Sequence, residues 1–538
     1  MTGGQAKLMR RDLLLPALLV FLAVWTGAAL MQPGFWVLDE SVRYMQGTSL
    51  LSSLRLPPPL LIPGGEGAEG LDPRLAPVPF HYGRVENGLV YAQYSPALAL
   101  TSVPFRALLG GHAGTFVVPA LGSALCWLLL ASSFMHNGFG RMQAFLLPIA
   151  GAPLIFYGMT FWSHTLASGL VLAAVVTTIA GRRFALPVLL ISAAALFREE
   201  ALPFLAFPLL LGEGTPRRKL SILTVTGLAF LAASRLLTGS WLGTHLSASG
   251  AEQDLYGHSG MGWIEARLFV IKRALLTTMP GIPIPAGAAG GILLAGLWAV
   301  AAFGLGRAAS TAAAAGLALV AASLAAAAFR GFRLLDTLYC LKSPLIIFPA
   351  LWLVRPRGRS ALILSGILLL MLLIMAPMHA EDLAWGSRLI MMPLLALLLS
   401  AVPVSPRRTW AVVGVGILSC GVSVGFLARK RALSDELAML AAGEGGAVIV
   451  TDWLLTGEFA GEMEKGLPVA FTPLAADFAE AADLLRDLRP VAVSRVEDLG
   501  AQMQLFRDLG FQPLIAGVVE FDPALRVAVV NLSGTGAP

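Results

Sequence analysis

The feature that most restricts this chain is a recurring run of apolar residues close to the ~20 needed to cross the hydrocarbon of a bilayer. The runs begin at Leu13–Met31 and return as far as Ala411–Leu427. Charged residues make up only 13% of the chain against 57% hydrophobic, whereas a soluble domain normally carries about 25% charged residues. So little charge cannot cover a water-facing surface, and the sequence reads as a polytopic integral membrane protein in contact with lipid. The formal charge of +6 is then a matter of topology, and no nucleic-acid partner is expected. Cys126, Cys340 and Cys420 are scattered in or beside apolar runs, which suits neither a disulfide framework nor a zinc site.

Further spans are expected at Thr115–Phe134, Ala144–Tyr157, His164–Ala180, Phe184–Phe197, Ala201–Leu211, Leu220–Leu237, Ile284–Gly306, Ala309–Phe329, Ser343–Val354, Ala361–Pro377, Leu389–Val404 and Ala411–Leu427, about thirteen in all. Tyr94–Gly110 is apolar but short and interrupted by prolines, and reads as an interfacial helix. The first run is long for a signal sequence and lacks a clear cleavage site, so it is taken as a retained anchor. Connections carrying Arg182-Arg183, Arg217-Arg218-Lys219, Arg307, Arg355/Arg357/Arg359 and Arg407-Arg408 alternate with longer or more acidic ones. The positive-inside rule places those connections and the amino terminus in the cytoplasm. The segment Gln32–Gln93 and everything beyond Leu427 then lie outside.

Beyond Arg429 charge becomes frequent, and strand-like runs appear at Ala447–Thr451, Val491–Ser494, Leu514–Val519 and Arg526–Asn531, with a helix-like stretch at Ala475–Leu488. Strands alternating with helices indicate a small α/β domain. The expected fold is mainly α. A polytopic transmembrane bundle over 1–428, with a large first outer loop, is followed by an extracytoplasmic α/β domain over 429–538. The setting is a bacterial or archaeal inner or plasma membrane.

The chemistry is concentrated just past the first span, in Trp36-Val37-Leu38-Asp39-Glu40-Ser41-Val42-Arg43-Tyr44. Asp is a favoured helix N-cap and Glu in a first turn suits the helix dipole, so the pair taken alone reads as the start of a helix. Adjacent residues do not share a helix face, so only one of the two acids can address a given atom. Cations recur at span ends on the outer side: Arg198 beside Glu199 and Glu200, Arg267 with Lys272 and Arg273, Arg330/Arg333/Lys342, and Arg388 near Glu381-Asp382. Such cations run against the positive-inside bias. Paired acids account for some, and an anionic ligand such as a lipid phosphate accounts for the rest; snorkelling to headgroups is the plainer alternative. His164 opens a span from the same side, where a lone histidine is more often a hydrogen-bonded interface residue than a base. Neither a P-loop, a zinc-spaced cluster nor a Ser/His/Asp elbow is visible.

Asp39-Glu40-Ser41-Val42-Arg43-Tyr44, followed by Tyr91-Ala92-Gln93-Tyr94-Ser95-Pro96, Ser163-His164-Thr165-Leu166-Ala167, Arg198-Glu199-Glu200 and Trp385-Gly386-Ser387-Arg388, resembles in order and spacing the GT-C membrane glycosyltransferases. The nearest branch is the one that includes the aminoarabinose transferase of lipid A and the protein O-mannosyltransferases. That resemblance implies a polyprenyl-phosphate-sugar donor, a glycan, lipid or protein acceptor, and an inverting displacement in which a carboxylate of the first outer loop is the base. It implies Asp39 as base with Glu40 second, and Arg43, Tyr44, Gln93, Tyr94 and Arg388 at the donor phosphate or sugar. His164, Arg198, Glu199, Arg267 and Lys272 are further candidates. Gln93 stands where the branch often has lysine, so phosphate binding has to lean on other cations. A second Asp-x-Asp pair is absent from the sequence, so no obligatory cofactor is expected, a divalent metal remaining possible. The alternatives are a flippase or transporter of lipid-linked sugars, which would bury charges near the midplane, and a non-catalytic envelope assembly protein that presents the outer domain.

Overall fold

The computed structural model of the chain describes residues 11–31, 38–60, 83–86, 89–92, 94–150, 154–181, 183–241, 358–374, 391–444, 446–452, 455–459, 469–472, 489–522 and 525–534, with scattered positions elsewhere. The expected span at Ile284–Gly306, most of those at Ala309–Phe329 and Ser343–Val354, and the expected helix at Ala475–Leu488 lie outside the described residues.

The described chain is mainly helical. In order it forms α1 (Leu14–Met31), α2 (Leu38–Ser53), the strands β1 (Gly83–Glu86) and β2 (Leu89–Ala92), α3 (Ala97–Leu109), α4 (Gly111–Thr115), α5 (Val117–His136), α6 (Arg141–Ala150), α7 (Leu154–Gly158), α8 (His164–Ile179), α9 (Ala185–Phe197), α10 (Ala206–Leu211) and α11 (Pro216–Thr238). After a gap come α12 (Arg359–Ile374), α13 (Met391–Leu398), α14 (Pro406–Glu444), β3 (Ala447–Val450), β4 (Val469–Phe471), β5 (Pro490–Arg495), α15 (Leu499–Asp508), β6 (Phe511–Asp522) and β7 (Leu525–Gly534).

Among the described residues three helices are long and apolar enough to cross a membrane: Gly111–His136, Pro216–Thr238 and Pro406–Ala441. The expected count of about thirteen is therefore not reached within them. The apolar window of Gly111–His136 is 83% buried, that of α11 only 17%. The first is an interior helix; the second presents Leu220, Val225, Leu228 and Leu236 outward, an apolar face suited to hydrocarbon rather than water. Of Ala144–Tyr157 the structure describes the end of α6 and the start of the five-residue α7, residues 151–153 lying outside the described residues. One expected span is corrected. Ala201–Leu211 is a 3-10 turn, Glu199–Leu205 with Pro203 inside it, followed by the six-residue α10. Pro203 lacks an N–H and cannot join an α-helical ladder.

The chain packs as two compact units. One comprises Met1–Thr26, Val118–Ser234 and Ser249–Phe426; the other comprises Gly27–Val117, Arg235–Ala248 and Leu427–Pro538. In the first, α8 packs against α9, α10 and α13. Glycine brings α5 and α8 together: a Cβ on Gly122 would lie 2.6 Å from the Leu166 Cα, and one on Gly169 2.9 Å from a Leu125 methyl. Thr165 donates to the Pro119 carbonyl at 2.9 Å. Close approach through small residues is how helices associate in lipid, where the hydrophobic effect gives no drive.

In the second unit a five-stranded sheet has the order β4-β3-β5-β7-β6. β4, β3 and β5 are parallel, and β7 and β6 run antiparallel. All four expected strands are present. β4 went unread because its three residues lie between Pro468 and Pro473. Ala447, Ile449, Ala492, Phe506, Phe511 and Val530 form the core. Helix α14 runs well past the apolar stretch that ends at Leu427, since Ala428–Ala442 holds neither Gly nor Pro and is rich in strong helix formers. Leu427, Lys430, Ser434, Leu437 and Ala441 form its buried stripe in this unit, a 3-4 spacing that makes one helix face. Gly517, at a register shift in β6, leaves room for Leu440: a Cβ there would lie 2.9 Å from the Leu440 Cδ1.

Candidate functional site

Helix α2 carries the expected motif, and its surroundings decide what the motif is. An ordinary capped helix start on a wet surface would leave its charged residues exposed. Here Glu40 is 0% and Arg43 3% exposed. Two neighbours cover α2. Val42 and Met45 pack with Leu60, Val90 and Tyr94, and α3 lies against the helix from another direction. The hairpin pairs Val85 with Val90 and Glu86 with Leu89, so Asn87-Gly88 is its two-residue connection. Asn-Gly is the strongest short hairpin signal, and the sequence reading passed over it. The chain leading out of α2 closes onto this hairpin, with the Leu60 amide donating to the Val90 carbonyl at 2.7 Å.

Arg43 lies over the Tyr94 ring, 4.8 Å from its centroid, a cation–π contact that strengthens as water is excluded. Gln46 donates through Nε2 to the Tyr94 carbonyl at 3.0 Å. That bond fixes the amide's orientation, because a flipped Gln46 would set oxygen against oxygen. The buried Gln46 Oε1 is left without a hydrogen-bond partner among the described residues. Position 39 lies on the Arg43 face of the helix, four residues earlier. Asp39 belongs to α2, but its side chain lies outside the described residues.

The unexpected member is Arg106. The interfacial reading of α3 would have sent this arginine to the lipid surface, yet it is 2% exposed. Its Nη1 donates to the Tyr44 carbonyl at 2.8 Å and its Nη2 to Thr48 Oγ1 at 2.8 Å. Its Cζ lies 4.1 Å from the Tyr44 ring centroid. Gly47 makes the space, since a Cβ there would collide with the guanidinium. Close packing of Gly114 in α4 against the Arg106 backbone holds the arginine from behind. A sequence signal existed in Ser102 and Arg106, one helical turn apart, which are the buried polar residues of α3.

The carboxy-terminal part of this unit reaches the same helix. The 3-10 turn Thr456–Phe459 packs on α2. Glu458, buried in that turn, accepts from Lys430 Nζ at 2.5 Å on Oε1 and 2.7 Å on Oε2, and from Ser434 Oγ at 2.7 Å. Lys430 also donates to Ser434 Oγ at 2.7 Å.

In the other unit, His164 opens α8 and is buried in ring contact with Tyr157, 5.7 Å away, and Trp162, 5.6 Å away. Arg198 closes α9. Ser163 Oγ donates to the Phe197 carbonyl at 3.2 Å, so these two helix ends meet. Arg198 is paired with Glu200, through Nε to Oε2 at 3.1 Å and through Nη2 to Oε1, while Glu199 begins the 3-10 turn. The structure thus gathers Glu40, Arg43, Tyr44 and Tyr94 in one unit and His164, Arg198 and Glu199 in the other. Gln93, Arg267, Lys272 and Arg388 lie outside the described residues. Among the described residues no three His, Cys, Asp or Glu side chains converge as a metal site.

No family model and no curated protein matches the chain. Among solved structures it is similar to ArnT from Cupriavidus metallidurans in the apo state, with 13% identity, 98% of this chain and 99% of that one covered, and a TM-score of 0.44. ArnT bound to undecaprenyl phosphate gives 13% identity over the same shares and a TM-score of 0.43. The archaeal oligosaccharyltransferase AglB from Archaeoglobus fulgidus, in complex with an inhibitory peptide and a dolichol-phosphate, gives 11% identity, coverage of 91% and 70%, and a TM-score of 0.40. At these identities and scores the likeness names what the chain is similar to and assigns it no activity.

Proposed function

We propose that this chain is an integral membrane glycosyltransferase that moves a sugar from a polyprenyl phosphate to an acceptor hydroxyl on the outer side of the membrane. The observation that carries the reading is the burial of Glu40, Arg43 and Arg106 around one short helix just beyond the first apolar helix. Burying an ion costs several kcal/mol unless it is compensated, and a helix serving only as a surface connection has no need of three. Buried charges of this kind gather at sites that handle charged ligands.

Asp39 takes the proton of the acceptor hydroxyl. The acceptor oxygen attacks the anomeric carbon from the face opposite the phosphate, and the carbon–oxygen bond to the lipid phosphate breaks. The phosphate leaves with the bonding pair, so the anomeric configuration inverts. Arg43, one turn from position 39 and held against Tyr94, meets the charge that grows on the departing phosphate. Gln46 Oε1, oriented and unmatched, accepts from a sugar hydroxyl. Glu40 is the supporting acid, and Arg106 holds the helix in place. The amino terminus is cytoplasmic and residues 429–538 are extracytoplasmic in this reading.

The test is transfer of labelled sugar from a polyprenyl phosphate in proteoliposomes. Loss of a general base is worth about 10²–10⁴-fold, and Asp39→Asn is expected to fall in that range with unchanged expression and thermal unfolding. Transfer retained within threefold of the parent would remove Asp39 as the base.

A further inference from the structure

The carboxyl ends of β4, β3 and β5 lie side by side, because Val450 pairs with both Phe471 and Val493. The chain steps from β3 to β4 on one side and then crosses to β5 on the other. Such a reversal of strand order opens a crevice at the carboxyl edge, where open α/β sheets bind ligands. The residues delivered to this edge are polar. Thr451 and Asp452 follow β3, Thr472 follows β4 with its amide donating to the Val450 carbonyl at 2.9 Å, and Ser494-Arg495 end β5.

Two of the polar atoms here have no hydrogen-bond partner among the described residues, Thr472 Oγ1 and Gln502 Oε1. Thr472 is 2% exposed. The orientation of Gln502 is settled by its neighbour. Thr451 Oγ1 spends its one proton on the Val493 carbonyl at 3.3 Å. It can therefore only accept from Gln502, whose Nε2 lies 3.2 Å away. The amide oxygen of Gln502 is thus an acceptor without a donor, and buried acceptors of this kind are rare enough to require an occupant. Arg495 Nε is ion-paired with Asp452 Oδ2, which neutralises the only cation named at the edge. A phosphate would meet a carboxylate and an unmatched carbonyl oxygen. A ligand bearing several uncharged hydroxyl donors would meet acceptors.

We propose that this edge is a saccharide-binding site, taking a neutral polyol ring through Asp452, Arg495, Thr472 and Gln502. Asp452 and Thr456 are four Cα steps apart, at most about 14 Å of chain, and the turn beginning at Thr456 packs on α2. A sugar held here is assigned as part of the acceptor; that assignment, unlike the binding itself, rests on the reading of the chain as a glycosyltransferase.

Saturation-transfer NMR on the full chain in detergent tests it, with D-glucose, D-mannose, D-galactose and D-ribose as probes and inorganic phosphate as the anion control. At least one sugar is expected to receive saturation while phosphate competes with none. Thr472→Val removes a hydroxyl that has no hydrogen-bond partner among the described residues, so unfolding should be unchanged while sugar binding weakens by about tenfold, one hydrogen bond's worth. Gln502→Leu is expected to weaken it similarly. Asp39→Asn is expected to bind sugar as the parent does, so loss of transfer and loss of binding are read separately. The proposal is overturned if none of the four sugars receives saturation, if phosphate displaces them, or if Thr472→Val binds as the parent does.

Discussion

Lys430 and Glu458 are 4% and 5% exposed at their side chains, and the pair joins α14 to the turn that seats on α2. Removing one member of a buried pair strands the other charge and costs about 3–5 kcal/mol. Replacing both by apolar residues of similar volume is often neutral. Ser434 survives the double change, because a helical serine can bond to the carbonyl four residues earlier. Lys430→Met alone and Glu458→Leu alone are therefore each expected to lower the unfolding temperature. At about 2–4 °C per kcal/mol for a unit of this size, the drop is roughly 6–20 °C. The Lys430→Met/Glu458→Leu double variant should come within about 1.5 kcal/mol of the parent. Thermal unfolding in one detergent, followed by tryptophan fluorescence at a fixed scan rate, gives the four corners of the cycle. Additive single effects, with the double variant the least stable of the four, would show that the two charges are not coupled and that the turn is held on α2 by something else.

Three more changes probe the packing around the two sites. Alanine normally stabilises a helix by about 1 kcal/mol over glycine, but Gly47→Ala should do the reverse. It displaces Arg106 from bonds to Tyr44 and Thr48 worth about 1.5–3 kcal/mol each, and a lower unfolding temperature checks it. Arg106→Lys keeps the charge but cannot reach both acceptors with one compact ammonium; about 1.5–3 kcal/mol of destabilisation is expected in the same assay. Gly122→Val drives a side chain into the α8 backbone near Leu166, an overpacking that costs about 1–3 kcal/mol or more, and is expected to raise the rate of tryptic cleavage in detergent.

The helices and the sheet were legible because each has a strong local signal. Apolar runs marked α5, α8, α9 and α11, and alternating β-branched runs marked β3, β5, β6 and β7 to within a few residues. Where Pro203 interrupts an apolar run, hydropathy overstated helix length because it does not count lost N–H donors. The extension of α14 was hidden for the opposite reason: charge was read as a domain boundary, while helix propensity continued through it. At the site, the motif located α2 but not its burial. Glu40 and Arg43 read alike in sequence whether they are exposed or buried, and the packing around α2 comes from Leu60, Val90, Tyr94 and α3, which are distant in the chain. Arg106 and Lys430 were missed because a single cation in an amphipathic helix is ordinarily a solvated one; only the partners brought in by tertiary packing show otherwise.

The glycine contacts between α5 and α8 carry a thermodynamic consequence. Apolar surface removed from water raises the heat capacity of unfolding by about 0.45 cal/K/mol per Å², which bends the stability curve and weakens that burial in the cold. With α5 and α8 read as membrane spans, the contact at Gly122 and Gly169 exchanges lipid for protein, removes no surface from water and contributes no such curvature. The five-stranded sheet buries its core of Ala447, Ile449, Ala492 and Val530 from water and does contribute it. Cooling should therefore loosen the sheet while leaving the α5–α8 seam as tight as before, so a cold-sensitive variant of this protein is expected to be lesioned in the sheet.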